Sequence, residues 1–162
     1  MQCMVFPLLV SFGTLLVSLL SYSMGTALIV HRVVPVLRPG CAGMGFWKDV
    51  AVMVMVSLAT ALVHLIQIAL WALALLLCGE IATFENAFYC SAQNYTALGY
   101  GDIVLSAQWR LLGPLEAVNG LLLFGLSTAL MFAVMSQLIA NRLRPQAGHL
   151  GEVAVNPEAN AR

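Results

Sequence analysis

The chain has 162 residues, 61% of them hydrophobic and only 9% charged, with a formal net charge of zero. That composition excludes an ordinary soluble domain and gives no basis for a nucleic-acid partner. The few charges are segregated: none precedes Arg32, none lies between Asp49 and Glu80, and none lies between Glu116 and Arg142. Each gap exceeds the ~20 residues a helix needs to cross hydrocarbon. The expectation is an all-α integral membrane protein with three transmembrane helices, its surroundings a lipid bilayer.

The first span is expected from about Phe6 to Val30, so that residues 1–31 form a peripheral transmembrane packing helix. Pro7 suits a first helical turn, where a missing N–H costs nothing. Ser11, Gly13, Ser18, Ser21 and Gly25 permit close helix contact. No arginine ladder of the voltage-sensing kind is present. Residues 32–49 form a connection punctuated by Pro35, Pro39, Gly40, Gly43 and Gly45, which forbids a continuous helix. Arg32, Arg38 and Lys48 lie in it, Arg142 and Arg144 follow the last span, and Glu80, Glu85, Asp102 and Glu116 gather between the second and third spans. The positive-inside rule then places the connection and the C-terminus in the cytoplasm and the N-terminus outside.

The second span is expected over about Val50 to Cys78. His64, Gln67 and Trp71 are spaced to share one face of it. A mid-span histidine is a candidate proton sensor; the alternative is a neutral histidine that hydrogen-bonds to a neighbouring helix together with Gln67. From Glu80 to Arg110 the chain is too short and too polar for another full crossing. Phe84 to Tyr95 can make about three helical turns, capped by Thr83 with Glu85 and Asn86 in the first turn. The stretch that follows, Thr96 to Asp102, reads Thr-Ala-Leu-Gly-Tyr-Gly-Asp. Gly99 and Gly101 accept φ > 0 without steric cost, so the backbone can alternate in hand and turn successive carbonyls toward one axis. Non-helical backbone at membrane depth is tolerated only where it is buried in protein or lines water. A re-entrant loop here therefore implies a pore.

Gly113-Pro114 opens the third span, which runs to about Asn141. Gly120 and Gly125 are candidate hinges or close-packing notches, and Asn119, Ser127, Thr128, Ser136 and Gln137 supply polarity suited to a water-filled vestibule. Residues 50–142 thus form one pore domain of helix, loop and helix. Residues 143–162, with Pro145, Gly148, Gly151 and Pro157, are expected to be disordered. The four cysteines lack metal-ligand spacing and read as packing residues; the alternative is that Cys78 and Cys90 face an oxidising exterior near one another.

The stretch from Thr96 to Asp102 resembles the selectivity filter of potassium channels, commonly Thr-Val-Gly-Tyr-Gly-Asp. The likeness extends from about Asp49 to Arg142, and the chain is similar to short, three-span bacterial proteins of the ion-channel superfamily. The resemblance implies that the carbonyls of Ala97, Leu98, Gly99 and Tyr100 replace the hydration shell of potassium, the transported ion, with no other cofactor. It implies a homotetramer, because one loop cannot dehydrate an ion. It puts the Tyr100 ring against the pore helix near Tyr89, Asp102 at the external mouth, and Gln93 where some channels carry a carboxylate paired with that aspartate. It also implies that a glycine of the last helix permits bending. Ala97 stands where the family usually has a second threonine, so the innermost ion site is expected to have carbonyls on one side only. The function implied is the pore-forming subunit of a potassium-selective channel; alternatives are a weakly selective cation channel on the same scaffold or a non-conducting subunit of a partner channel. Enzymatic chemistry is not expected, since no nucleophile–base set appears.

Overall fold

The computed structural model describes residues 2–37 and 45–155. Arg38, Pro39, Gly40, Cys41 and Gly43 of the connection, and residues 156–162 of the tail, lie outside the described residues. Four helices follow in order: α1 (Gln2–Val33), α2 (Phe46–Leu77), α3 (Phe84–Tyr95) and α4 (Leu112–Val155), and among the described residues there is no strand. Three stretches are long and apolar enough to cross a membrane: Pro7–Val33, Phe46–Leu77 and Leu112–Leu143. At 1.5 Å per residue, a span of the length of α2 reaches about 48 Å. That is more than the roughly 30 Å of hydrocarbon, so such a helix tilts or projects.

The ends of the elements follow from local chemistry. α2 stops at Leu77, where Gly79, at φ 72°, donates to the Leu76 carbonyl at 3.0 Å and Glu80 N–H to that of Leu75 at 3.2 Å. These two bonds close a Schellman cap. α3 starts as the sequence suggests: Thr83 is extended, and its hydroxyl accepts from the Asn86 N–H at 3.4 Å. Pro114 falls in the first turn of α4.

Some boundaries differ from expectation. α1 begins at Gln2, so Pro7 sits inside it rather than in its first turn. α2 begins at Phe46, absorbing the end of the expected connection. α4 does not end near Asn141: it continues to Val155, so residues 143–155 of the tail expected to be disordered are helical. Pro145 there removes one backbone donor, while the good helix formers around it, Leu143, Gln146, Ala147 and Leu150, let the helix run on.

α2 is the packing centre, with α1, α3 and α4 all against it. One face of α4 is buried at helical spacing, through Leu112, Glu116, Asn119, Gly120, Leu123, Ser127, Val134, Leu138 and Asn141. Asn119 and Ser127 therefore face the other helices and not a vestibule, whereas Thr128, Ser136 and Gln137 are exposed. A single-residue step rotates a helical position by about 100°, which is why neighbours such as Ser127 and Thr128 part company. At the far end, Arg142 pairs with Asp49 (Nε to Oδ2, 2.6 Å), and Asn141 donates to the Leu37 carbonyl at 2.6 Å. The base of α4 is thereby tied to the start of α2 and to the turn after α1.

Candidate functional site

α3 delivers the chain to the loop. The Thr96, Ala97 and Leu98 amides bond back to the carbonyls of Ala92, Asn94 and Gln93, and the Thr96 hydroxyl turns back to Ala92 O at 2.7 Å. From there handedness alternates: Ala97, Gly99 and Gly101 have φ of 56°, 57° and 78°. The glycines at positions 99 and 101 are what the sequence pattern requires. Nothing in the sequence marks Ala97 for this role; a side-chain-bearing residue in the left-handed region costs about 1–2 kcal/mol.

One side chain braces the loop from behind. Gln93, buried on α3, accepts from the Tyr100 N–H at 3.1 Å and donates to Asp102 Oδ1 at 2.9 Å. The Gln93 amide, and then the Tyr89 hydroxyl, hold the Asp102 carboxyl below its ordinary range by hydrogen-bonding its charged form. None of the described hydrogen bonds ends on the carbonyl oxygens of Ala97, Leu98, Gly99 or Tyr100. Thr96 to Asp102 is exposed throughout. Within one chain Tyr100 is 70% exposed and Tyr89 44% exposed. An open hollow of about 340 Å³ lies between the loop and the start of α4, lined by residues that include Gly99, Gly101, Arg110 and Pro114.

Behind the loop lies a polar seam. The Ser127 hydroxyl donates to the Leu123 carbonyl at 2.9 Å, so it accepts from His64 Nε2–H at 2.7 Å and from the Tyr22 hydroxyl at 2.8 Å. The Tyr95 hydroxyl then donates to His64 Nδ1 at 2.8 Å. This assignment gives every proton an acceptor with the imidazole neutral. A second cluster joins Ser18 to Gln67 Oε1 (2.6 Å), Gln67 Nε2 to Ser21 (3.0 Å) and Asn119 Nδ2 to Ser18 (2.7 Å). Trp71 is fully buried beside them on α2, and its indole N–H has no partner. α1 is bonded directly to α2 through Ser18 and to α4 through Tyr22.

Of the two candidate hinges, Gly120 is a contact notch: a Cβ there would lie 2.0 Å from the Tyr95 carbonyl oxygen. A Cβ at Gly125 would meet nothing. Sequence reasoning missed Glu116, which it grouped with the outer acids. Glu116 is fully buried on α4, in hydrogen-bond contact with Ser91 and 3.3 Å from Asn94 Nδ2. The available signal was its spacing from Leu112, Asn119, Gly120 and Leu123 on one helical face.

A family model described as ion channel matches residues 51–137. The chain is also similar to an inward rectifier potassium channel, Kirbac3.1, of Paramagnetospirillum magnetotacticum, with 33% identity over 104 residues, or 60% of this chain and 32% of that protein. The chain therefore spans about a third of the length of that curated relative. No solved structure matches it.

Proposed function

The chain belongs to this ion-channel family, and from that premise we propose that it is the pore-forming subunit of a potassium-selective channel. The observation that carries the proposal is the alternation of backbone hand at Ala97, Gly99 and Gly101 beside carbonyls that accept no described hydrogen bond. Such carbonyls suit a dehydrated monovalent cation, and passage down a gradient needs no covalent chemistry. The similarity to a potassium channel supports potassium over other cations.

In this proposal four copies converge, because each carbonyl carries only a partial charge and one loop exposes all of its own. A neighbouring copy would cover Tyr100 and occupy the hollow beside the loop. The C-terminal end of α3 would direct its negative dipole end toward the central cavity. His64 acts as a neutral hydrogen-bonding hub, and Gly125, where a Cβ would meet nothing, is the remaining hinge position. The N-terminus lies outside and the C-terminus in the cytoplasm, following the basic clusters at Arg32, Arg38, Lys48, Arg142 and Arg144.

Purified protein reconstituted in liposomes should pass potassium and run as a tetramer by subunit counting. Absence of flux from correctly inserted tetramers would favour the non-conducting reading. A cysteine after Gln2, in a Cys3→Ser background, should react with an impermeant thiol reagent on intact cells. Labelling near Gly148 in its place would reverse the topology.

A further inference from the structure

Glu116 is a carboxyl group at 0% exposure, set in the third span against the helix that carries the loop. It has no ion-pair partner: the one ion pair among the described residues is Arg142 with Asp49, at the other end of α4. Cys90 and Tyr95, both on α3, lie close enough to feel a charge on it, and neither is basic. An isolated carboxylate in such a site pays a heavy desolvation cost.

Proton counting points the same way. The Ser91 hydroxyl lies 2.8 Å from the Ile68 carbonyl of α2 and also contacts Glu116 Oε1. Serine has one proton, and a backbone carbonyl only accepts. With the serine proton given to Ile68, the bond between Ser91 and Glu116 draws its proton from the carboxyl, an assignment that serves both contacts and leaves the buried group uncharged. The other oxygen, Oε2, accepts from Asn94 Nδ2. Donor and acceptor thus fall on the two oxygens of one neutral acid.

We propose that Glu116 is a protonated carboxylic acid that positions the loop, clasping α4 to α3 through Ser91 and Asn94 and to α2 through Ser91 and Ile68. The clasped residues flank the brace: Gln93 holds Tyr100 and Asp102, and the Asn94 carbonyl receives the Ala97 N–H. A shift of α3 relative to α4 would carry the loop with it. Glu116 touches no ion; it acts through α3. The role rests on the pore reading above, whereas its protonation state does not.

Glu116→Gln separates this from a purely structural carboxylate, because an amide donates to Ser91 and accepts from Asn94 as the neutral acid does. The full chain in lipid vesicles at neutral pH should show, in the infrared difference between wild type and E116Q, the carbonyl stretch of a protonated carboxylic acid. S91A should shift that band by removing its hydrogen-bond acceptor. E116Q should keep potassium flux and potassium-over-sodium preference within about twofold. E116A should lower one or both by about tenfold or more, as expected when a buried partner is lost. A difference spectrum showing an ionised carboxylate, a band indifferent to S91A, or an E116Q variant as impaired as E116A would overturn the proposal. The infrared measurements stand even if the wild type proves not to conduct, so failure here is distinct from failure of the pore.

Discussion

The loop from Thr96 to Asp102 and the seam formed by Tyr22, His64, Tyr95 and Ser127 lie next to each other and obey opposite rules. In the seam, side chains from α1, α2, α3 and α4 exchange hydrogen bonds within a single chain, and each hydroxyl and ring nitrogen has a partner. In the loop the backbone carries the chemistry, its carbonyls of Ala97 to Tyr100 accept no described bond, and the whole stretch is exposed. Buried polar groups are costly when unpaired, so the seam is a device for folding one chain. The loop is left open, and in the proposed reading further copies of the chain complete it.

The comparison can be broken most severely at Gly120, where the two regions meet. Gly120→Val would drive a branched side chain into the Tyr95 carbonyl, whose oxygen lies only 2.0 Å from where a Cβ would sit. Overpacking of this kind costs about 1–3 kcal/mol or more, so both stability in detergent and potassium flux should fall sharply. Gly99→Ala should split the regions cleanly. The left-handed backbone at φ 57° penalises a Cβ by about 1–2 kcal/mol in every copy; flux should drop to background while insertion and thermal stability stay near wild type. Ser127→Ala acts on the seam alone. It strands the His64 Nε2–H and the Tyr22 hydroxyl, and a lowered unfolding midpoint worth about 1–3 kcal/mol is expected, with selectivity retained. Arg142→Ala should do least: the Arg142 side chain is 46% exposed, against 14% for Asp49, and a pair open to water on one side is worth about 0–1 kcal/mol. Its midpoint should move little and its flux should persist.

Much of this is legible in the amino-acid sequence alone. Charge-free runs locate the three spans, Thr83 announces the start of α3, and Gly99 and Gly101 announce alternating backbone, because each signal is local. What stays hidden depends on helix phase and on contacts distant in sequence. Asn119 and Ser127 look like vestibule polarity until α4 is rotated into place, and Glu116 looks external because it follows Arg110 and Gly113-Pro114 so closely. Ala97 gives no warning of its positive φ, since alanine has no special turn propensity; the bonds from Ala97 and Leu98 back onto α3 impose it. The continuation of α4 past Asn141 is masked by Pro145 and two glycines, which read as breakers when the preceding helix is not in view.

The central claim is that Thr96 to Asp102, repeated around an axis, is a potassium-selective path. It is tested most directly by the reversal potential of the reconstituted full chain, with potassium on one side of the bilayer and sodium replacing it stepwise on the other. The account predicts a reversal potential that follows the potassium gradient, and no current from Gly99→Ala inserted at the same density. A reversal potential that stays at zero as sodium replaces potassium, or an undiminished current through Gly99→Ala, would contradict it.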